Sequence, residues 1–282
     1  MKVAFYTAPF LLTSEQGDTG YIYEALARHF DVTLHSQPDA SLCRDAHVVF
    51  CRFPLPLDRQ FLRQLVPLSD KLIINNPAAQ LRYGTKRHLL LFPELTAPTM
   101  ITASVPDIRR FALQYGPVVF KPLDRHMGKG VIRIDVAAKT DGELERLVSD
   151  YVDEYGTPAV QQYIDCVTEV GDKRIIIFRF DPISAVTTMP AAGSFICHES
   201  SGGSAFPAEI TARDAEIVDA VMPFLRRNEI WWAAVDVIGT YLGEVNICTP
   251  SMMWRADRAH GSTRGSDAVI RKLKEHQKEH GL

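Results

Sequence analysis

Short apolar runs alternate with amphipathic stretches along the first 75 residues. Runs such as AHVVFC and KLIIN are typical of buried strands, and the stretches between them repeat their apolar positions at helical spacing. Strands that alternate with helices indicate a parallel sheet. The pattern predicts strands at 2–6, 32–35, 46–51 and 71–75 and helices at 21–29 and 58–65. Asn76-Pro77 ends this pattern, so we predict an N-terminal α/β domain at 1–76.

The rest of the chain mixes helices and strands after a helical segment at 79–90 that holds Lys86. The pattern predicts helices at 106–114, 141–153 and 212–227 and strands at 118–121, 131–136, 159–163, 173–180 and 185–189. A Ser/Gly-rich loop is predicted at 199–205. A last helix, at 267–278, carries Lys, Arg or His on most turns, which predicts a solvent-facing helix.

The segment AAVDVIGTYLGEVNICTP contains two apolar runs separated by Gly239-Thr240, which predicts a β-hairpin. Because side chains alternate faces along a strand, Glu244 and Asn246 project to one side, and Asp236 reaches the same side in the simplest register. Three oxygen-bearing side chains would then converge, and Mg²⁺ prefers such hard oxygen ligands. Taken alone, the segment fits an ordinary hairpin with a polar, solvent-facing side equally well.

A glycine-containing loop joins two predicted strands in VVFKPLDRHMGKGVIRI. Gly128 and Gly130 would let backbone N–H groups close over an anion, and Lys121 leaves the strand end where a cation could meet a phosphate. A strand rather than a helix follows, so the loop is neither a Walker A loop nor a Rossmann fingerprint. The alternative is a glycine-containing hairpin with an exposed lysine.

Two further segments carry candidate ligand-binding side chains. One is a mixed polar and apolar segment whose side chains could line the flat base of a nucleotide: Gln161, Gln162, Tyr163 and Ile164. Arg174 enters a strongly apolar predicted strand, where an arginine is usually a surface residue. In a site that contains phosphates and carboxylates, however, its planar guanidinium makes bidentate contacts.

Composition narrows the class of protein. The formal charge of −3 gives no electrostatic reason to expect nucleic acid as the main ligand. No apolar run approaches the roughly 20 residues that span a bilayer, and MKVAFYTAPFLL predicts a strand and a loop rather than a signal peptide. The five cysteines show no metal-ligand spacing and fit reduced thiols. We therefore expect a cytoplasmic protein that binds neither membrane nor nucleic acid.

Taken in order, these segments resemble the ATP-grasp ligases, and within them the bacterial glutathione synthetase family. The resemblance runs from about residue 46 to about residue 257. It rests on IINNPAAQLRYGTKRHLL with Lys86, VVFKPLDRHMGKGVIRI with Lys121, GDKRIII with Arg174, DVIGTYLGEVNICTPS with the acidic hairpin, and CRFPLPLD with Arg52. It implies an α/β ATP-grasp fold with an N-terminal parallel α/β domain (1–76), a linker (77–111), a small lid subdomain (112–164) and a C-terminal mixed-sheet catalytic subdomain (165–282).

The resemblance also implies a reaction and a set of site residues. An ATP-dependent ligase would phosphorylate a carboxylate and join it to an amine, with ADP and phosphate released. The implied ATP-binding residues are Lys86, Lys121, Gly128, Gly130, Gln161, Gln162, Tyr163 and Ile164. The implied ligands of Mg²⁺, expected as two ions that Mn²⁺ could replace, are Asp236, Glu244 and Asn246. The implied catalytic residues are Arg174, Lys121 and Asn246, and the implied substrate contacts are Arg52, Arg174, Gly202, Gly203 and Ser204.

The chain departs from this family in the segment FICHESSGGSAF. Ile196 and Ser204 stand where the family usually has arginines, although Gly202-Gly203 remains. A dipeptide with several carboxylates needs such cations, so the departure favours a smaller donor. Glutamate activated at its side-chain carboxylate and joined to a free amino acid is one example.

Several readings stay open. The leading one is a ligase of two small amino acids. The alternatives with the same chemistry are glutathione synthetase itself and an enzyme that modifies a protein or carrier-protein terminus. A protein that binds ATP without catalysis is disfavoured because the implied phosphate and metal ligands are all present. The resemblance further implies a homo-oligomer, either a dimer or a tetramer.

Overall fold

The N-terminal domain is built on a parallel sheet, as the sequence predicts. The structure is a computed structural model that describes residues 1–13, 17–53 and 56–282. The strands of this sheet lie in the order β2-β1-β3-β4, and each adjacent pair is parallel. They are β1 (Lys2–Tyr6), β2 (Asp31–His35), β3 (Val48–Cys51) and β4 (Leu72–Ile74). The strand bounds agree with the predicted runs to within two residues at each end.

The central strand β1 has apolar side chains at every position after Lys2, and all of them are buried. Because successive side chains point to opposite faces, both faces of the sheet are covered at this strand. Phe5 packs with α1 (Asp18–Ala27) on one face, and Tyr6 packs with α2 (Arg59–Leu65) on the other. Asp58 caps α2, since its carboxylate accepts a hydrogen bond from the backbone N–H of Phe61 at 2.9 Å. The face that packs with α1 also contacts the C-terminal subdomain, which fixes the two units together.

The helical segment predicted at 79–90 is interrupted in the structure. Helix α3 (Pro77–Tyr83) ends at Gly84, and a 3₁₀ helix at Lys86–Leu91 follows. A Cβ atom at Gly84 would lie 2.4 Å from the carbonyl oxygen of Gln80, so only glycine fits this turn. The break redirects the chain, and the backbone N–H of Lys86 bonds the carbonyl oxygen of Leu123 at 3.0 Å.

The lid subdomain is an antiparallel sheet in the order β5-β8-β6-β7, covered by two helices on one face. Its strands are β5 (Thr99–Ile101), β6 (Val118–Lys121), β7 (Ile132–Ile134) and β8 (Ala159–Gln162), and its helices are α4 (Val105–Tyr115) and α5 (Asp141–Tyr155). A reciprocal capping box between Thr140 and Glu143 begins α5. Side chains of both helices, among them Ile108 and Leu144, pack on Phe120 in the sheet.

The C-terminal subdomain is an antiparallel sheet in the order β11-β10-β9-β12-β13. Its strands are β9 (Asp172–Phe178), β10 (Asp181–Met189), β11 (Ser204–Pro207), β12 (Trp232–Ile238) and β13 (Tyr241–Asn246). Its helices are α6 (Val167–Val170), α7 (Ala212–Arg227), α8 (Met253–Ala259) and α9 (Arg264–Glu279). Because neighbours along β9 face opposite sides, Ile175 and Ile177 pack with α7, whereas Ile176 and Phe178 pack with α9.

Two predictions about this subdomain need correction. The last helix is not simply solvent-facing: Val269, Ile270 and Leu273 are buried against the sheet, and only its other side carries exposed charges. The predicted loop at 199–205 contains a short 3₁₀ helix, Glu199–Ser201, and the start of β11. None of the described helices is long and apolar enough to cross a membrane.

Candidate active site

An open cavity lies between the lid sheet and the C-terminal sheet. The lid subdomain contributes one wall, the C-terminal sheet the other, and the 3₁₀ helix after α3 the edge. The structure brings ten of the predicted site residues to this cavity. They are Lys86, Lys121, Gly128, Gln161, Gln162, Tyr163, Ile164, Arg174, Asp236 and Glu244.

The acidic hairpin has the register that brings its polar side chains to one face. Asp236 pairs with Glu244, and Ala234 pairs with Asn246, with an irregularity just after Asp236. The side-chain amide of Asn246 donates a hydrogen bond to Asp236 Oδ2 at 2.9 Å. Three oxygen-bearing side chains therefore converge at the cavity's C-terminal wall, because a strand presents alternate residues to the same face.

Two lysines face this hairpin from different parts of the chain. Lys86 Nζ lies 3.1 Å from Glu244 Oε1 and donates to the carbonyl oxygen of Arg125 at 2.7 Å. Lys121 Nζ donates to Gln161 Oε1 at 2.7 Å. Burial lowers the pKa of Lys121, although the nearby carboxylate of Glu244 counteracts part of this effect. Both ammonium groups are thus held at the cavity wall by contacts that a phosphate could replace.

Arg174 and Asp236 form a bidentate ion pair on adjacent strands. Arg174 Nε donates to Asp236 Oδ1 and Nη2 donates to Oδ2, both at 2.7 Å. Arg174 Nη1 also donates to Ser251 Oγ at 3.2 Å. Burial opposes the charge of Arg174, but Asp236 and Asp172 outweigh it and raise the pKa of Arg174 above its usual value. The guanidinium is therefore a fixed cation.

The charge of Glu244 is also fixed. Burial by itself would raise its pKa, but Lys86, His88 and His126 together outweigh burial, and the pKa of Glu244 falls to about 2. His88 supports the strand behind this carboxylate, since its Nε2 accepts from the backbone N–H of Val245 at 3.2 Å. Its Nδ1 lies 2.6 Å from the carbonyl oxygen of Thr85, so Nδ1 carries the proton.

Asp172 is a site residue that the sequence reasoning missed. It lines the cavity, and its Oδ1 is buried without a hydrogen-bond partner. Burial and the neighbouring carboxylate of Asp236 raise the pKa of Asp172 well above its usual range. The signal was present in the sequence, because Asp172 precedes Arg174 by two positions and a strand places such residues on one face. His126, Cys197 and His198 line the same cavity and were also not assigned to it.

The glycine-containing loop folds against a segment of the C-terminal subdomain. Gly128 has φ +71°, and a Cβ atom there would lie 2.5 Å from Ile196 Cγ2. Gly130 has φ +73° but does not line the cavity; a Cβ atom there would lie 2.7 Å from Pro122 Cγ. Both positions need glycine, the first for close approach across the cavity and the second for packing at the base of the loop.

Two aromatic rings line the cavity beside this loop. The Tyr163 ring lies 5.8 Å from the Phe195 ring in an edge-to-face arrangement, and the Arg133 guanidinium stacks over Tyr163 at 4.5 Å. Gln162 and Ile164 line the cavity on either side of Tyr163 in sequence. These rings give this part of the cavity an apolar surface of the kind that a heterocyclic base requires.

Arg52 does not line the cavity, and its predicted substrate contact stays a prediction. It is buried, with its guanidinium 4.5 Å from the centre of the Trp232 ring and its Nη1 donating to the carbonyl oxygen of Pro250 at 2.5 Å. Burial lowers the pKa of Arg52 to about 10. Arg52 thus joins the N-terminal domain to the C-terminal subdomain. Residues 54 and 55 of the same CRFPLPLD segment lie outside the described residues.

The remaining predicted residues lie beside the cavity rather than on its surface. Asn246 is linked to the site through Asp236, to which its side-chain amide donates a hydrogen bond. Gly202 has φ +81°, and a Cβ atom at Gly203 would lie 2.9 Å from the carbonyl oxygen of Met189, so the pair forms a tight turn into β11. Ser204 is exposed at the start of that strand. Substrate contacts by Gly202, Gly203 and Ser204 stay a prediction.

The hairpin fits a divalent cation of the Mg²⁺ type. Asp236, Glu244 and Asn246 offer only oxygen ligands, and the amide of Asn246 turns its nitrogen to Asp236, which leaves its oxygen for a cation. The carboxylate of Asp172, with its unpartnered oxygen, lies in the same cavity. The chemistry of these donors suits a hard cation that brings phosphates with it.

Comparison with known sequences identifies a family. Residues 85–261 match the model of the prokaryotic glutathione synthetase ATP-grasp domain. A glutathione synthetase of Thermosynechococcus vestitus is 33% identical over 206 residues, which cover 73% of this chain and 64% of that protein. One of Prochlorococcus marinus is 30% identical over 243 residues, which cover 84% of this chain and 78% of that protein. The match to the first relative thus spans slightly less than two thirds of its length.

Solved structures share the fold at much lower identity. A D-cycloserine synthetase superposes with a TM-score of 0.72 at 16% identity, covering 97% of this chain and 100% of that one. The D-alanyl-alanine synthetase A of Vibrio cholerae superposes with a TM-score of 0.67 at 12% identity, covering 98% of each chain. These likenesses confirm the ATP-grasp architecture over nearly the whole chain.

Proposed function

Because the chain belongs to the prokaryotic glutathione synthetase family of ATP-grasp ligases, whose members use ATP and Mg²⁺ to form amide bonds, we propose that it joins two small amino acids. One observation carries the proposal. Lys86, Lys121 and Arg174 converge from three parts of the chain on a cavity that also holds the acidic hairpin. Such a grouping of cations and hard oxygen ligands suits phosphoryl transfer, in which positioning and charge neutralisation supply most of the catalysis.

The proposed reaction has two steps. A donor carboxylate oxygen bonds the γ-phosphorus of ATP while the bond from that phosphorus to the β–γ bridging oxygen breaks, giving an acyl-phosphate and ADP. The nitrogen of a neutral amine then bonds the acyl carbon, the carbon–oxygen bond to phosphate breaks, and the amine proton leaves with the phosphate. Both steps conserve charge and need no oxidant or reductant.

Each cation of the site has a role in this scheme. Lys86 and Lys121 hold the phosphates of ATP, exchanging their contacts with Glu244 and Gln161 for phosphate oxygens. Arg174, whose Nη1 and Nη2 edge faces Ser251 and Asp236, stabilises the transferring phosphoryl group and the oxyanion that forms at the acyl carbon. Losing one such contact typically lowers the rate on the order of 10²–10³-fold.

Asp236, Glu244 and Asn246 would hold Mg²⁺, as two ions for which Mn²⁺ can substitute, and the cation would neutralise charge on the phosphates. The carboxylate of Glu244 is ionised at any physiological pH, because its pKa is about 2. The loop around Gly128 contacts Ile196 across the cavity, and if it closes over bound ATP it would exclude water from the acyl-phosphate, which hydrolyses readily. Tyr163 and Phe195 would support the adenine ring.

Glutathione synthetase activity is the main alternative within the same chemistry, and modification of a protein or carrier-protein terminus is another. Ile196 lines the cavity where the family resemblance leads us to expect an arginine, which favours a donor with fewer carboxylates than a peptide. Small-molecule substrates follow from the relatives. We further propose that the protein is cytoplasmic, since all five cysteines are free thiols and suit a reducing compartment. The homo-oligomer that the family resemblance implies is a separate proposal.

The test measures ADP release from Mg²⁺ATP with pairs of amino acids, glutamate included, and identifies the products by mass spectrometry. ADP formation that needs two substrates, with a product whose mass equals their condensation, supports the proposal. Turnover with γ-glutamylcysteine and glycine alone would favour the glutathione synthetase alternative. Asp236→Asn, which removes one metal ligand while keeping its shape, serves as the inactive control and should abolish ADP release with every pair.

A further inference from the structure

A smaller recess adjoins the cavity on the side of β10 and α8. The residues that line both spaces are Asp172, Arg174, Cys197 and His198. Those that line the recess alone are Thr188, Glu199, Met252 and Arg255. Because Arg174 belongs to both spaces, a molecule in the recess can present one end to the phosphoryl-transfer centre.

Opposite charges stand side by side in this recess. The guanidinium of Arg255 forms an ion pair with the carboxylate of Glu199. Arg255 lies in α8 and Glu199 in the short 3₁₀ helix after His198, so the pair links two separate elements. The side chains are only 19% and 30% exposed, so water screens these charges less than those of a surface pair.

The pair complements a zwitterion. The α-carboxylate of an amino acid can replace Glu199 on Arg255, and its α-ammonium can then pair with Glu199. One ion pair is exchanged for two, so no partly buried charge loses its partner. A ligand with only one of these groups would replace the existing ion pair by a single new one, and so would gain less from the recess than a zwitterion.

We propose, building on the ligase function above, that this recess binds the α-amino and α-carboxylate groups of the donor and that the donor is activated at its side-chain carboxylate. The donor is then an acidic amino acid. Its side chain extends from the recess to Arg174, where the side-chain oxygen bonds the γ-phosphorus and ADP leaves. Glu199 and Arg255 determine donor specificity.

The charge of Glu199 indicates that the recess binds the donor rather than the acceptor. An amine can attack an acyl-phosphate only when it is unprotonated, and a carboxylate beside it stabilises the protonated, unreactive form. An α-ammonium held by Glu199 therefore belongs to the molecule that supplies the carboxylate. The acceptor amine must approach the acyl carbon from the open cavity instead.

The experiment uses hydroxylamine as the amine, because it captures an acyl-phosphate as a hydroxamate and the natural acceptor need not be known. ADP and hydroxamate are measured with L-glutamate and L-aspartate as donors. They are compared with N-acetyl-L-glutamate, which lacks the ammonium, with L-glutamate α-amide, which lacks the α-carboxylate, and with glutarate, which lacks both. We expect each blocked derivative of the preferred donor to lose about 10- to 100-fold in kcat/KM, the effect of one charge-assisted hydrogen bond.

Variants assign the two contacts. Arg255→Met should lower kcat/KM for the preferred donor about 10- to 100-fold while leaving that of its α-amide unchanged, and Arg255→Lys should recover part of the loss. Glu199→Gln should act in the same selective way on the ammonium, with N-acetyl-L-glutamate unaffected. Arg271→Met, which removes an exposed arginine of α9 paired with Glu275, is the matched control and should change none of these values. Thermal unfolding checks that each variant is folded.

The outcomes separate this inference from the ligase function. Equal use of glutamate and its blocked derivatives, or turnover only of carboxylates without a free α-amino acid group, would overturn the assignment of the recess and leave the ligase standing. Equal losses for the free and amidated donors in Arg255→Met would also overturn it. Failure to release ADP with every carboxylate would refute the ligase itself and the inference with it.

Discussion

The ion pair between Arg174 and Asp236 allows stability and catalysis to be separated. Arg174→Met removes two N–H···O bonds of 2.7 Å and leaves the carboxylate of Asp236 in a site where its side chain is 5% exposed. Breaking a buried pair from one side costs about 3–5 kcal/mol, because the remaining charge stays uncompensated. Asn246 still donates to that carboxylate at 2.9 Å, so we expect the lower end of this range.

For a chain of this size, a loss of about 3 kcal/mol lowers the unfolding midpoint by on the order of 6 °C. The double variant Arg174→Met/Asp236→Asn lacks both charges of the pair, so neither is left uncompensated, and it should regain most of that loss. Neither variant should regain activity, because each lacks groups that stabilise the transferring phosphoryl group, and ADP release should fall on the order of 10²–10³-fold.

Thermal unfolding followed by circular dichroism and ADP release measured on the same samples test this reasoning. Arg110→Met is the control, since Arg110 is exposed and pairs with Asp107 one helical turn away, where such pairs contribute about 0–1 kcal/mol. The reasoning is refuted if Arg174→Met unfolds at the wild-type temperature. It is equally refuted if the double variant is no more stable than the single one, or if either variant retains activity within tenfold of wild type.

Further predictions concern three other positions. The pKa of Asp172 is raised on folding, so its ionised form destabilises the protein at neutral pH. Asp172→Asn should therefore raise the unfolding midpoint at pH 7, with the gain vanishing below about pH 4, and a gain independent of pH would contradict this origin. Gly128→Ala should lower the unfolding midpoint more than Gly116→Ala, since both have positive φ but only Gly128 meets a side chain, that of Ile196; equal effects would exclude the contact. Lys86→Met should raise the KM for ATP about 10- to 100-fold in steady-state assays, and an unchanged KM would remove Lys86 from the phosphate site.

Much of the fold follows from local pattern. The alternation of strands and helices predicts the parallel N-terminal sheet, and all of its strands are found. The last helix shows where this reasoning fails: its charged residues dominate the sequence, but Val269 and Leu273 at helical spacing are buried against the central sheet. The strand β11 was missed because Ser204–Pro207 is only four residues long, directly follows a Ser/Gly-rich stretch and is formed by pairing with β10.

The candidate site likewise contains residues that the sequence alone places together and residues that only the fold brings together. Asp236, Glu244 and Asn246 could be placed together from the sequence alone, because a hairpin with a short loop is local and its side chains alternate with a period of two. The family resemblance supplied Lys86, Lys121 and Arg174, and the fold brings all three to the same cavity. Arg52 came from the same resemblance, but burial against Trp232 keeps it from the cavity.

The sequence by itself determined most of the elements and the acidic hairpin, because helix and strand periodicity and short-loop geometry are set by neighbouring residues. Only the tertiary structure decided which distant groups meet: Lys86 with Glu244, Asp172 with Lys121, and Arg255 with Glu199. Charge at such sites depends on burial and on neighbours remote in sequence, and these exist only once the lid and C-terminal sheets pack around one cavity.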